Sequence, residues 1–164
     1  MANEDAQSAL DDAKVLLELA PGLALAKLRR AEANMMLSNW EEAKDDLEQI
    51  VEDAPHHHHA LTQLASCFMA MDRPEKAEAP LNEALRLAPD HTEAWHQRGL
   101  LYLDWAQEES ALNDFEAAVR CDGNHLGARL RIAAIHHKAE RFPEALGAWT
   151  VSYTHLRAHE TLNH

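Results

Sequence analysis

Residues 94–123, AWHQRGLLYLDWAQEESALNDFEAAVRCDG, decide the fold, because their small and large apolar residues recur elsewhere in the chain at one fixed interval. The interval is 34 residues. Counting outward from Ala94 gives Ala26, Ala60 and Ala128, and from Ala111 it gives Ala9, Ala43, Ala77 and Ala145. Alanine is abundant here, so two registers of different chemistry carry more weight. One is Pro21, Pro55, Pro89 and Gly123, and the other is Leu17, Val51, Leu85 and Val119, all without a gap. A period of this length marks a stack of supersecondary units, each too small to bury its apolar face alone.

Each period divides into two amphipathic stretches with apolar residues at helical spacing, for example 60–71 followed by 75–87. The turns between them read Leu37-Ser38-Asn39, Met71-Asp72-Arg73 and Ala139-Glu140-Arg141. Pro74 and Pro143 stand where a helix start tolerates a missing N–H, and Pro55, Pro89 and Gly123 stand where a helix stops. The repeated alanines let helix axes approach to about 8–10 Å. Larger residues fill the space beside them, in the series Ala13, Leu47, Leu81, Phe115 and Trp149 and the pair Phe68 and Tyr102, while Trp40 and Phe142 cover the hairpin turns. Pro80 falls inside the second stretch of its period and predicts a local bend, since it removes the bond to the Lys76 carbonyl.

Trp95-x2-Arg98-Gly99-x2-Tyr102, then Ala111-x3-Phe115 and Gly123, resembles the tetratricopeptide repeat signature, with Arg98 in place of its leucine and Gly123 in place of its proline. The preceding period matches with Leu61-x2-Leu64-Ala65-x2-Phe68, Ala77-x3-Leu81 and Pro89. The first departs at Lys27, Arg30 and Asn34 but matches at Trp40, Ala43, Leu47 and Pro55, and the fourth departs at Arg129 and His136. The resemblance covers Asp5 to Trp149 and implies an all-α fold, a right-handed α-solenoid of antiparallel helix hairpins.

The resulting organisation is residues 1–22 as the second helix of a truncated repeat, then repeats over 23–56, 57–90 and 91–124, then a truncated repeat over 125–149. Leu10, Leu16 and Leu17 are thereby expected to lack their first-helix neighbour. Register fails after Trp149, where Ser152 and Arg157 occupy positions that call for a small residue and a proline. Residues 151–161 resemble translated sequencing-adapter read-through, so 150–164 are read as a non-native tail.

With 15 Lys and Arg against 28 Asp and Glu, a formal charge of −13 argues against a nucleic-acid partner, whose phosphates require clustered cations. No apolar run approaches the roughly 20 residues of a membrane span, and Met1 to Leu10 lack the basic start and apolar run of a secretory leader, which weighs little if an upstream hairpin is missing; the compartment is left open, with the cytoplasm favoured. Cys67 and Cys121 lie in apolar helical patterns without CxxC spacing and read as two buried or half-buried thiols. The run His56-His57-His58-His59 reads as a solvated turn, because adjacent side chains at a helix start diverge where metal ligands must converge. His91 with His96, and His136 and His137 with Glu140, lack HExxH spacing; His136 reads as a packed, hydrogen-bonded histidine. No phosphate loop, dinucleotide fingerprint or nucleophile elbow is present. No catalytic residue, metal ligand or cofactor is assigned.

The resemblance implies that first helices line a concave groove for a protein or peptide. Its inward positions fall on Leu28, Arg29, Glu32, Met35 and Met36, then on Thr62, Gln63, Ser66 and Met69. They continue on His96, Gln97, Leu100, Leu103 and Asp104, and end on Arg131, Ala134 and His137. The Lys, Asn and Arg set with which chaperone adaptors of this family clasp a C-terminal carboxylate is not supplied. Methionine and leucine among mixed polar groups suit a segment with apolar anchors. The expected function is a non-enzymatic interaction scaffold. The alternative is a recruiting or regulatory arm of a larger transferase, kinase or protease, or repeats that only space two domains.

Overall fold

The computed structural model describes residues 2–138, with side chains from Glu4 onward. All regular elements among them are helical: α1 (Ala2–Leu19), α2 (Ala24–Met36), α3 (Trp40–Asp53), α4 (His58–Ala70), a 3₁₀ turn (Pro74–Lys76), α5 (Glu78–Leu87), α6 (Thr92–Asp104), α7 (Glu108–Cys121) and α8 (Leu126–Lys138). The fold is an all-α helical repeat. Four first helices, α2, α4, α6 and α8, each span 13 residues and start 34 apart, so the period read from the alanines is the period of the backbone. No described helix is long and apolar enough to cross a membrane. Glu140, Phe142, Pro143, Ala145, Trp149 and the tail 150–164 lie outside the described residues.

The described residues fall into two compact units that divide between Pro89 and Asp90. In the first, Ala26, Ala43, Ala60 and Ala77 are sealed from solvent, with Leu47 and Leu81 filling the space beside them. α1 packs on α2 through Ala6, Leu10 and Ala13, so Leu10 is covered; Leu16 and Leu19 on its other side are exposed. In the second unit, Ala111, Phe115, Ala118, Ala128 and Ile135 form the core, flanked by half-buried Trp95, Leu100, Tyr102 and Ile132. Gly99 is required there. A Cβ at that position would lie 2.7 Å from Phe115 Cε1, inside van der Waals contact.

Every described hairpin turns the same way. Ser38, Asp72 and Ala106, also 34 apart, take positive φ of 62°, 58° and 56°. Each is the residue after a helix C-cap whose N–H reaches back to a carbonyl near the helix end: Ser38 to Met35, Asp72 to Met69, Ala106 to Leu103. The next N–H spans further, Asn39 to Asn34, Arg73 to Phe68 and Gln107 to Tyr102 at 2.7–2.8 Å. This is a Schellman closure, which normally recruits glycine.

Pro80 does more than bend its helix. In the second repeat the helix is interrupted: the 3₁₀ turn begins where α3 and α7 begin in their repeats, and α5 starts only at Glu78. Pro80 thus sits in the first turn of α5, where no N–H bond is lost. The equivalent positions elsewhere hold Asp46 and Asp114, both buried, each clasped by an arginine from the preceding helix. Arg30 donates to Asp46 at 2.7 and 2.5 Å, and Arg98 donates to Asp114 at 2.8 and 2.9 Å. Arg98 also lies over the Trp95 and Tyr102 rings, 4.9 and 5.7 Å from their centroids. In the second repeat the arginine position is Leu64. Pair and apolar substitute alternate together.

Two outcomes are expected. Ala106→Gly relieves the left-handed turn and raises unfolding free energy by about 0.5–1 kcal/mol in urea titrations, less than the full cost of that conformation because glycine also loosens the unfolded chain. Asp114→Ala strands a largely buried guanidinium and costs about 2–3 kcal/mol, whereas Arg98→Leu combined with Asp114→Ala comes back to within about 1 kcal/mol of the parent.

Candidate functional site

The first helices present the faces that the sequence assigned to ligand binding. In the first unit Leu28, Glu32 and Met35 of α2 are half-buried, Arg29 is exposed, and Met36 is 60% exposed. α4 adds half-buried Gln63, Ser66 and Met69. Thr62 does not belong with them: it is 2% exposed and its hydroxyl donates to the His58 carbonyl at 3.0 Å, because the helix phase turns it inward. Glu32 joins the two helices. It accepts from Arg29 at 2.9 Å and from Gln63 at 3.4 Å, with His59 Nε2 3.7 Å away. In the second unit α6 offers half-buried His96, Gln97, Leu100 and Leu103 with exposed Asp104, and α8 offers exposed Arg131, Ala134 and His137.

The histidine run is not a solvated turn. His57 is the N-cap of α4, its Nδ1 accepting the Ala60 N–H at 3.1 Å, and His58 and His59 form the first helical turn, half-buried. Only His56 of the four is exposed. The N-cap position recurs as His91 and His125, and His125 Nδ1 accepts the Ala128 N–H at 3.0 Å in the same way. An imidazole nitrogen there replaces the usual hydroxyl or carboxylate acceptor.

His125 also completes a cluster with two residues of α6. Glu93 Oε2 lies 3.7 Å from His125 Nε2, and Glu93 Oε1 lies 3.8 Å from His96 Nδ1. The two imidazole centroids are 4.7 Å apart. Gln97 donates to Glu93 Oε1 at 2.6 Å. Gly127 makes room, since a Cβ there would meet His96 Nε2 at 3.1 Å. His96 facing Glu93 is the largest influence on that carboxyl; burial opposes it, Gln97 and His125 add to it, and the result is a carboxyl held down to about 2. The sequence reading missed this set because it sought ligands within one helix. The period was the available signal: residue 93 opens one repeat and residue 125 stands at the threshold of the next, 32 positions on.

Three other features are settled by burial. Cys67 is sealed, and burial pushes its thiol up to about 11, whereas Cys121 is exposed at the end of α7, contrary to the expectation of burial. His136 is packed as expected, but its Nδ1 finds no hydrogen-bond partner among the described residues. A cleft of about 500 Å³ between α1, α2 and α3 is walled by Asn34, Asn39, Glu42 and Asp45, and its Arg30 is engaged by Asp46.

Paired helices repeating at 34 residues, with left-handed closures and first-helix faces bearing mixed apolar and polar side chains, define a helical-hairpin repeat protein. Family models described as tetratricopeptide repeat match residues 35–98 and 92–125. The chain belongs to the tetratricopeptide repeat family, whose members are protein-interaction scaffolds. Among solved structures it is similar to MamA, with a TM-score of 0.80 and 18% identity over 96% of this chain and 92% of that one. It is also similar to pilF of Pseudomonas aeruginosa, with a TM-score of 0.82 and 19% identity over 92% of this chain and 69% of that one. A third likeness is to the first repeat domain of Spaghetti (RPAP3), solved bound to the HSP90 peptide SRMEEVD, with a TM-score of 0.67 and 21% identity over 71% and 93% of the two chains. No curated protein matches the sequence.

The depressed Glu93 carboxyl sets an acid response. A group whose pKa falls from 4.5 to about 2 on folding contributes stability in full above 4.5 and loses it as pH falls toward 2. In urea unfolding, the wild type is expected to exceed Glu93→Gln in stability at pH 7, with the gap closing between pH 4.5 and 2.

Proposed function

We propose that the chain binds a peptide or partner helix on its first-helix faces, and that the α2–α4 face of the first unit takes the apolar anchors. The observation that carries this reading is the exposure of Met36 beside half-buried Leu28, Met35 and Met69, next to the polar group of Glu32, Arg29, Gln63 and His59. Unbranched methionine adapts its shape to the ligand at small conformational cost, and Glu32 supplies an acceptor that fixes orientation. The ligand of best fit is an extended or amphipathic segment with two apolar side chains and a donor between them. The chain's net charge of −13 adds a preference for segments carrying Lys or Arg outside the anchors, by steering rather than by contact.

The likeness to a repeat domain solved with an HSP90 peptide supports a peptide as the class of ligand, though the carboxylate-clasping set is not carried over. The role is one of binding and assembly. A random peptide library displayed on phage and selected on the purified chain tests it. Selected peptides are expected to bind with micromolar affinity and to lose at least tenfold, about 1.4 kcal/mol, on Met36→Glu or Met69→Glu. Selection that yields no binder, or binders indifferent to both substitutions and to Glu32→Gln, overturns the assignment to this face.

A further inference from the structure

We infer that Glu93, His96 and His125 form a binding site for a zinc-class transition-metal ion. Each of the three offers one ligand atom, and these atoms lie within 4.8 Å of one another. The 3.7 and 3.8 Å separations from Glu93 to the two imidazoles are too long for hydrogen bonds. They are close to the roughly 3.3 Å at which ligand atoms sit around a tetrahedral zinc with bonds of about 2.0–2.1 Å. Those two distances run to different oxygens of Glu93, and the widest separation among the three ligand atoms, up to 4.8 Å, closes to that value by about 1.5 Å through rotamer changes in more than one of the three side chains.

Two imidazoles and a carboxylate are a donor set suited to zinc, and Glu93, exposed on its outer edge, leaves a side open for water as a fourth ligand. His96 is the member that most needs a partner. Both of its ring nitrogens are buried without a hydrogen bond among the described residues, and an unmet buried polar group costs about 1–3 kcal/mol. Nδ1 faces Glu93, while Nε2 lies over Gly127, whose missing side chain gives the ring its place. The ring is held in position by Phe115, 5.7 Å away between centroids.

Occupancy has a defined internal cost. His125 caps α8 by accepting the Ala128 N–H on Nδ1, so its neutral ring carries its proton on Nε2. A metal bound at Nε2 requires that proton to move to Nδ1, where it opposes the Ala128 N–H. Binding the ion therefore releases the cap of α8, and the site couples metal occupancy to the helix that carries Arg131, Ala134 and His137.

The test is a calorimetric titration of zinc(II) into the full chain with His56, His58, His59, His155, His159 and His164 changed to Gln, which removes the other histidine-rich segments and keeps the His57 cap. One equivalent is expected to bind saturably. Glu93→Gln, which preserves shape, and His125→Asn, which preserves capping because asparagine is a strong N-cap residue, are each expected to weaken binding at least tenfold. The Ala128 amide resonance is expected to shift on zinc addition in the background protein and not in either variant. Circular dichroism confirms that each variant keeps the helical signal; should His125→Asn lose it, Glu93→Gln and His96→Gln decide. No saturable binding in the background, or equal affinity in the folded variants, overturns the site.

Discussion

The close approach of paired helices at alanine is the constraint on which the structure depends. Ala26, Ala43, Ala60, Ala77, Ala94, Ala111 and Ala128 are sealed from solvent, whereas Ala9, in the same register on α1, is exposed, and α1 packs through Ala6, Leu10 and Ala13 instead. Interaxial distances fall at roughly 8–10 Å depending on the side chains at the contact, and a methyl group there favours the short end of that range. At Gly99 even that is too much, because Phe115 already occupies the space. Once the axes are this close, the hairpin can close only through a compact turn. That is why Ser38, Asp72 and Ala106 accept a backbone conformation that disfavours residues bearing a Cβ.

This constraint explains what was readable beforehand. The alanine, proline and aliphatic registers carried the period, so the first helices could be placed from the sequence, because small size at a crossing point has few substitutes. The left-handed turns were hidden, since none of the three positions is glycine. Thr62 was misplaced because counting inward positions from a family pattern ignores the phase of the individual helix. The His57 cap was read as part of a solvated turn because serine, threonine, asparagine and aspartate are the expected signals there.

The two arginine–aspartate clasps show a different limit. Taken singly, Arg30 and Arg98 look like defects in an apolar pattern. Each is compensated by an acid 16 positions on, and where the acid becomes Pro80 the arginine becomes Leu64. Two ways of filling the same space coexist in one chain, one ionic and one apolar, and the apolar one comes with a broken helix. Paired substitution at fixed separation is legible only after the repeats are laid over each other. The same holds for Glu93, His96 and His125, which come together because successive repeats stack the start of one first helix against the threshold of the next.

The two cysteines of the chain stand in opposite environments, and this gives the molecule a built-in chemical clock. Cys121 meets a thiol reagent at the surface. Cys67, on the buried face of α4 with its thiolate suppressed by burial, can meet the same reagent only when that helix lifts. The slower alkylation step thus counts openings of the second repeat, while the faster one measures the reagent itself.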